Sequence, residues 1–158
     1  MRLKKLQVTD PEELRRIMEK ASVCHLGMCR SGRPYVVPMC YGYRGDRIYF
    51  HCASEGQKLE IMDQNPHVCF QMECDVSVVE SSKACGWSMD YNSVTGFGRL
   101  RRARSAEEKR IGLQAIMKHY SGRDNWKLKD QQVESTTVLV LEVEEMTGKD
   151  SRKDDLET

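Results

Sequence analysis

Residues 33–70 read RPYVVPMCYGYRGDRIYFHCASEGQKLEIMDQNPHVCF. β-Branched and aromatic residues dominate the first half, and Gly45-Asp46 punctuates it as a turn. Upstream, SVCHLGMCR (22–30) enters the same run through a turn at Ser31-Gly32. The stretches SVCHLGMCR, RPYVVPMCYGYR and RIYFHCA predict a three-stranded antiparallel meander. After Ala53 the pattern changes. KLEIM has helical spacing, so a short helix is predicted from Gln57 to about Asn65. Pro66 stops it, because a residue before proline is pushed out of the helical region. HVCFQMECD (67–75) returns to strand.

The flanks extend this pattern. Thr9 or Asp10, then Pro11 and Glu12-Glu13, open a helix whose apolar face is Leu14, Ile17, Met18 and Ala21. Residues 76–90 read as helix or loop. YNSVTGFGRLRRA (91–103) reads as a long strand, with Gly96 and Gly98 signalling a bulge or a close backbone approach. SAEEKRIGLQAIMKHY (105–120) is a helix capped by Ser105, with Glu108 completing S-x-x-E. A polar stretch, 121–135, precedes a last strand, TTVLVLEVEEM (136–146). Six strands, with helices inserted between them and few α/β crossovers, predict a mainly β fold: a small antiparallel β-barrel with peripheral α-helices. A single domain spans 1–148, and the polar tail 149–158 is expected to be disordered at its end.

The 158 residues carry a net charge of +1, which points to no bulk electrostatic partner such as nucleic acid or a membrane. No run approaches the ~18 apolar residues of a membrane span. MRLKKLQVTDPEE has basic residues with no apolar core behind them, so it is not a secretory signal. Seven cysteines (24, 29, 40, 52, 69, 74, 85) are odd in number and lack C-x-x-C spacing. They read as small hydrophobes in a reducing cytoplasm, without disulfides. His51, Cys52, His67 and Cys69 match no zinc-ligand framework, so no metal is expected. The basic run Arg99, Arg101, Arg102, Arg104 alternates along a strand and reads as a solvated face.

Lys58 poses the functional question. Ser54 and Gln57 form S-x-x-Q, a reciprocal helix start, which puts Lys58 in the first turn where the dipole disfavours a cation. The first amides of a helix have no internal partner and bind anions. Gly56 leaves room for close approach, Ser54 offers a hydroxyl, Gln57 an amide and Lys58 a charge. A phosphate here accounts for all four. The plain alternative is a surface lysine, at a cost of only ~0.3–1 kcal/mol.

The run from Pro34 to Phe70 resembles the flavin-binding core of the pyridoxamine 5'-phosphate oxidase-like split-barrel family, and within it the branch of 5-nitroimidazole resistance proteins. YNSVTGFGRLRRARSAEEKRIGLQAIMKHY resembles that branch's second block, and VLVLEVEEMTGK its last strand. The resemblance implies a six-stranded antiparallel split β-barrel and a homodimer, with FMN (or FAD) in a groove between subunits. Val36, Val37, Pro38 and Met39 match the strand whose backbone follows the isoalloxazine ring and ribityl chain. His51 and Cys52 match the end of the next strand, beside the flavin. Gln57 and Lys58 match the phosphate-binding pair, with Ser54 an added hydroxyl, and Ser93 matches a polar position reaching the flavin. His51 also matches a histidine implicated in the branch's chemistry. Histidine titrates near neutrality and can donate a proton to a reduced nitro group, or it can simply pack on the flavin edge.

Two departures stand out. Gln57 replaces the arginine that usually precedes the oxidase's lysine, and Tyr41 stands where the oxidase offers a lysine to its substrate's phosphate. The oxidase's C-terminal tryptophan and arginine signature is also absent. The resemblance therefore implies an FMN-dependent oxidoreductase that passes electrons from NAD(P)H to a small acceptor, such as a nitroaromatic. Two alternatives stand beside it: a flavin carrier or sensor without turnover, and a haem-binding split barrel using His25, His51, His67 or His119. Trp87 and Tyr91 read as a flavin cover, pocket wall, interface or core. Trp126 reads as a lid residue or a second-subunit contact.

Overall fold

The structure is a computed structural model that describes residues 4–152. A single 3-10 turn precedes strand β1 (Gln7–Val8) and helix α1 (Pro11–Lys20). Strands β2 (Cys24–Arg30), β3 (Arg33–Met39), β4 (Tyr41–Arg44) and β5 (Arg47–Cys52) follow, then helix α2 (Gln57–Gln64). The long strands β6 (His67–Val79) and β7 (Ser88–Arg102) precede helices α3 (Ala106–Ser121) and α4 (Asp130–Ser135), and β8 (Thr137–Asp150) ends the described chain.

All strands join one antiparallel sheet of order β3-β2-β6-β7-β8-β5-β4, with β1 on β8. The expected meander is only half right. β2 and β3 form the hairpin, turning at Ser31 and Gly32, both at positive φ. The run RPYVVPMCYGYR, however, breaks at Cys40, and β4 pairs with β5 at the opposite end of the sheet from β3. Cys40 alone joins the two ends. Residues flanking one position lie within about 7–8 Å of each other, so the sheet edges must meet. The sheet is therefore curled into a barrel, split where β3 and β4 do not pair. Eight strands replace the expected six because this run divides in two and because β1 is added.

Alternation sorts the side chains. Leu26, Met28, Met39, Ile48, Phe50, Phe70, Met72, Val94, Leu100, Leu139 and Leu141 fill the barrel, with α1 packed at the end marked by Asp75 and Gly148 and α2 at the opposite end, marked by Arg30 and Arg102. Outside it, α3 covers Tyr49, Val138 and Val140 with Ala115 and Ile116. Gly42 permits that contact: a Cβ there would lie 2.3 Å from the Ala115 carbonyl carbon. Gly98 does the same on β7, at the expected bulge between Phe97 and Gly98, where a Cβ would lie 2.2 Å from the Glu142 carbonyl oxygen. Among the described residues no helix covers the outer face of β3, β2, β6 and β7, where Val36 and Phe97 lie exposed.

Other expectations shift in detail. Residues 76–90 are strand at both ends, since β6 continues past a bulge to Val79 and β7 begins at Ser88, with a loop and a 3-10 turn, Ala84–Gly86, between them. At that bulge Asp75 adopts φ 56° and joins Lys20 of α1 to Asn92 of β7, which donates to it at 3.1 Å. The polar stretch 121–135 contains α4, anchored by buried Val133. β8 continues through Asp150, two residues beyond the expected domain limit. The expected disorder of the tail's end falls on 153–158, outside the described residues. Among the described residues no helix is long and apolar enough to cross a membrane, and all seven cysteines are free.

Candidate functional site

The β5–α2 junction differs from its expected form in one respect. Ser54 does not cap α2. The cap position belongs to Gly56, at φ 127° and ψ 166°, and no side chain bonds to the helix start. A residue two places before the cap cannot play the reciprocal role that S-x-x-Q assigns to Ser54, and the glycine supplies the turn instead. The Leu59 and Glu60 amides donate to the Gly56 carbonyl, at 2.9 and 3.3 Å. The Gln57 and Lys58 amides have no partner among the described residues. An uncapped helix start with a lysine in its first turn is an anion-binding arrangement.

Electrostatics at the junction reveal a residue that sequence reasoning placed elsewhere. Burial pushes the Cys52 thiol up, while the positive charges of Lys58 and Arg102 pull it back down. Arg102 is thus a second cation at this end of the barrel, from the last position of β7. Its guanidinium forks onto the Asp63 carboxylate of α2, one bond at 3.0 Å, and holds that carboxyl below its usual range. The basic run as a whole is not a bare solvated face. Arg101 bonds Glu108 at 2.7 and 2.9 Å and Glu142 at 2.9 Å, and Arg99 meets the His67 ring at 3.2 Å. The signal for Arg102 lay in strand parity: its position shares the inward face of Leu100.

The expected cofactor residues divide by orientation. Val37 and Met39 turn into the barrel core, so they can offer a ligand only backbone. Val36 and Pro38 face outward, Val36 at 64% exposure. The β4–β5 ladder pairs Tyr41 with Phe50, and the chain just before Tyr41 therefore approaches the chain just after Phe50. This brings Met39 and Cys40 towards His51 and Cys52, uniting two separate sequence segments. His51 is exposed, just past Tyr49, where the α3 cover ends. Ser54 and Gln57 are exposed and Lys58 half-buried. Ser93 is not at the junction. It lies nine residues along β7 from Arg102, roughly 30 Å of strand, and its neighbours are Glu73 and Lys149.

Val36 also lines a groove of ≈ 410 Å³ on the open sheet face, with Pro34, Gly27, Cys69 and Phe97. Phe97 is half-exposed there. Tyr41 is sealed in the core, with its hydroxyl on the carbonyls of Met18 and Ala21, so it faces no substrate. Trp126 is pinned to α3: its indole N–H donates to Ser121 at 3.0 Å and its backbone brackets the Gln114 amide. The Tyr91 hydroxyl accepts from Lys149 at 2.6 Å. Trp87 stays exposed at the β6–β7 tip, near Val78 and Met89. Of the histidines offered for haem, His119 is held by the Ala21 carbonyl and a ring contact with Tyr41.

A family model described as pyridoxamine 5'-phosphate oxidase matches residues 10–150. The chain belongs to the pyridoxamine 5'-phosphate oxidase family. A solved structure from Bacteroides thetaiotaomicron, described as a candidate 5-nitroimidazole antibiotic resistance protein, is 33% identical, with a TM-score of 0.79 over 90% of this chain and 85% of that one. An FAD- and haem-binding protein from Mycobacterium smegmatis shares the fold at 20% identity, with a TM-score of 0.78 over 92% of this chain and 73% of that one. An uncharacterized protein of Rhizobium meliloti is 35% identical over 68 residues, which span 42% of this chain and 44% of that protein. Within the pyridoxamine 5'-phosphate oxidase family, then, this chain has Lys58 in the first turn of α2 and buries Tyr41, where the resemblance placed a substrate-binding lysine.

Proposed function

We propose that this protein binds FMN and reduces a small acceptor, such as a nitroimidazole or other nitroaromatic, with electrons from NAD(P)H. The observation that carries the reading is the α2 start: two amides without partners, no side-chain cap and Lys58 beside them. The 33% identity to the Bacteroides protein supports the choice of acceptor. The donor set fits a phosphate: Lys58 and the amides neutralise and bind it, Ser54 and Gln57 add polar contacts, and Arg102 adds positive potential. The unpaired edge of β3 offers backbone groups to the polar edge of a ring, and Val36 and Pro38 offer apolar contact. The flavin, when bound, supplies the hydride and electron transfer. His51, exposed where β5 ends, is placed to hold a proton at its imidazole for the acceptor. A second subunit completes the site on this reading, since Ser93 does not reach the junction within one chain. The protein acts in the cytoplasm on this reading.

The test is direct. Purified protein should be yellow or should bind added FMN. NADH or NADPH should bleach it without oxygen, and a nitroimidazole should restore the colour. Bleaching by neither donor would leave a flavin-binding protein without this turnover. A colourless protein that refuses millimolar FMN would overturn the reading entirely.

A further inference from the structure

The open sheet face carries a polar pair that the function above does not use. On β2, His25 stands across from Pro38 of β3 and Gln71 of β6. On β6, Glu73 stands across from Ser93 of β7. His25 Nδ1 and Glu73 Oε2 lie 3.6 Å apart. Both atoms are sealed from water, and among the described residues neither has a hydrogen-bond partner, so their 3.6 Å approach to each other is the closest polar contact of either. Sealing a carboxylate oxygen and a ring nitrogen is costly unless each serves the other. The nearest lysine along this row, Lys149 across from Ser93, is engaged by the Tyr91 hydroxyl.

The imidazole is 38% exposed although Nδ1 is sealed. Nε2, on the opposite edge of the ring, is not among the sealed atoms. That edge opens on the outer face shared with Pro38 and Val36. An ionised carboxylate accepts hydrogen bonds and cannot donate them. With Glu73 Oε2 facing Nδ1 at 3.6 Å, the carboxylate favours the tautomer with the proton on Nδ1 electrostatically, and Nε2 is left as an acceptor.

We propose that His25, oriented by Glu73, is a specificity-determining residue for the cofactor ring: its Nε2 accepts a hydrogen bond from the imide N–H of a flavin lying along β3. The inference rests on the flavin reading above and deepens it. It gives a role to a histidine–carboxylate pair on the sheet face that also carries Pro34, Val36, Cys69 and Phe97. Glu73 acts through His25 and is a positioning residue.

Fluorescence titration of the full-length protein with FMN and with its N3-methyl analogue, which lacks the imide proton, tests this. The native protein should prefer FMN by about tenfold, the order expected for one unmade hydrogen bond to a buried acceptor. His25→Ala should abolish the preference, His25→Gln should restore part of it through the amide oxygen, and Glu73→Gln should weaken it by freeing the tautomer. Thermal melting of each variant establishes that it is folded. A preference equally large in His25→Ala, or no preference in the native protein, would overturn the proposal while leaving FMN binding intact. Failure of the native protein to bind either compound would instead overturn the flavin reading, and this proposal with it.

Discussion

A lysine in the first turn of a helix opposes the dipole, and Lys58 keeps that place in α2 with two bare amides beside it. If phosphate is its partner, Lys58→Ala should weaken FMN binding by ~1–3 kcal/mol. Riboflavin, which lacks the phosphate, should bind the variant and the native protein equally. Equal losses for both ligands in titration calorimetry would remove the assignment. Tyr41 makes the opposite case. It matched a substrate-binding position by sequence, yet burial pushes its phenol up and its hydroxyl serves the carbonyls of Met18 in α1 and of Ala21, the residue that caps that helix. Tyr41→Phe should cost roughly 1–3 kcal/mol of folding stability in urea unfolding, because those carbonyls lose a buried partner. It should leave FMN affinity unchanged. Residue types at the junction were legible from sequence because they are adjacent. The roles of Tyr41 and Arg102 were not, because each depends on which side of the barrel wall the side chain faces.

Helix α3 shows the same division at the scale of an element. Its start was readable: Ser105 accepts from the Glu108 amide at 3.1 Å, as S-x-x-E predicts. The reciprocal half is different. The Glu108 carboxylate accepts from the Arg104 amide at 2.7 Å and from Arg101, tying the helix start to β7. The hydrogen bond from Arg101 is the main reason its carboxyl is held down at about 2. A depressed carboxyl stabilises the fold fully above its ordinary value near 4.5, and that stability is lost as pH falls towards about 2. Glu108→Gln should therefore lower stability by roughly 2–3 kcal/mol at pH 7, with the gap to the native protein closing below pH 4. A gap that persists at pH 2 would show that the network contributes through packing rather than charge. Helix α2 carries the matching lesson, since its capping motif was present in sequence but unused once Gly56 took the turn.

For the whole molecule, the proposed second subunit would lie on the open face of β3, β2, β6 and β7. Phe97 and Val36 lie exposed on it, while Ser93 stands far from the junction. Sedimentation should show a dimer, and Phe97→Asp should yield monomers with much weaker FMN binding. A native monomer that binds FMN tightly would refute the shared site. Sequence alone determined the mainly β class and the core of most strands, and it put Ser54, Gly56, Gln57 and Lys58 together at one helix start, because period-two alternation and helix-start residues are local signals. Tertiary structure alone decided that the break at Cys40 sends one predicted strand to both ends of the sheet. It also decided that Arg102 shares a barrel end with Lys58, and that His25 meets Glu73. Those pairings join residues distant along the chain, and only closure of the barrel brings their faces together.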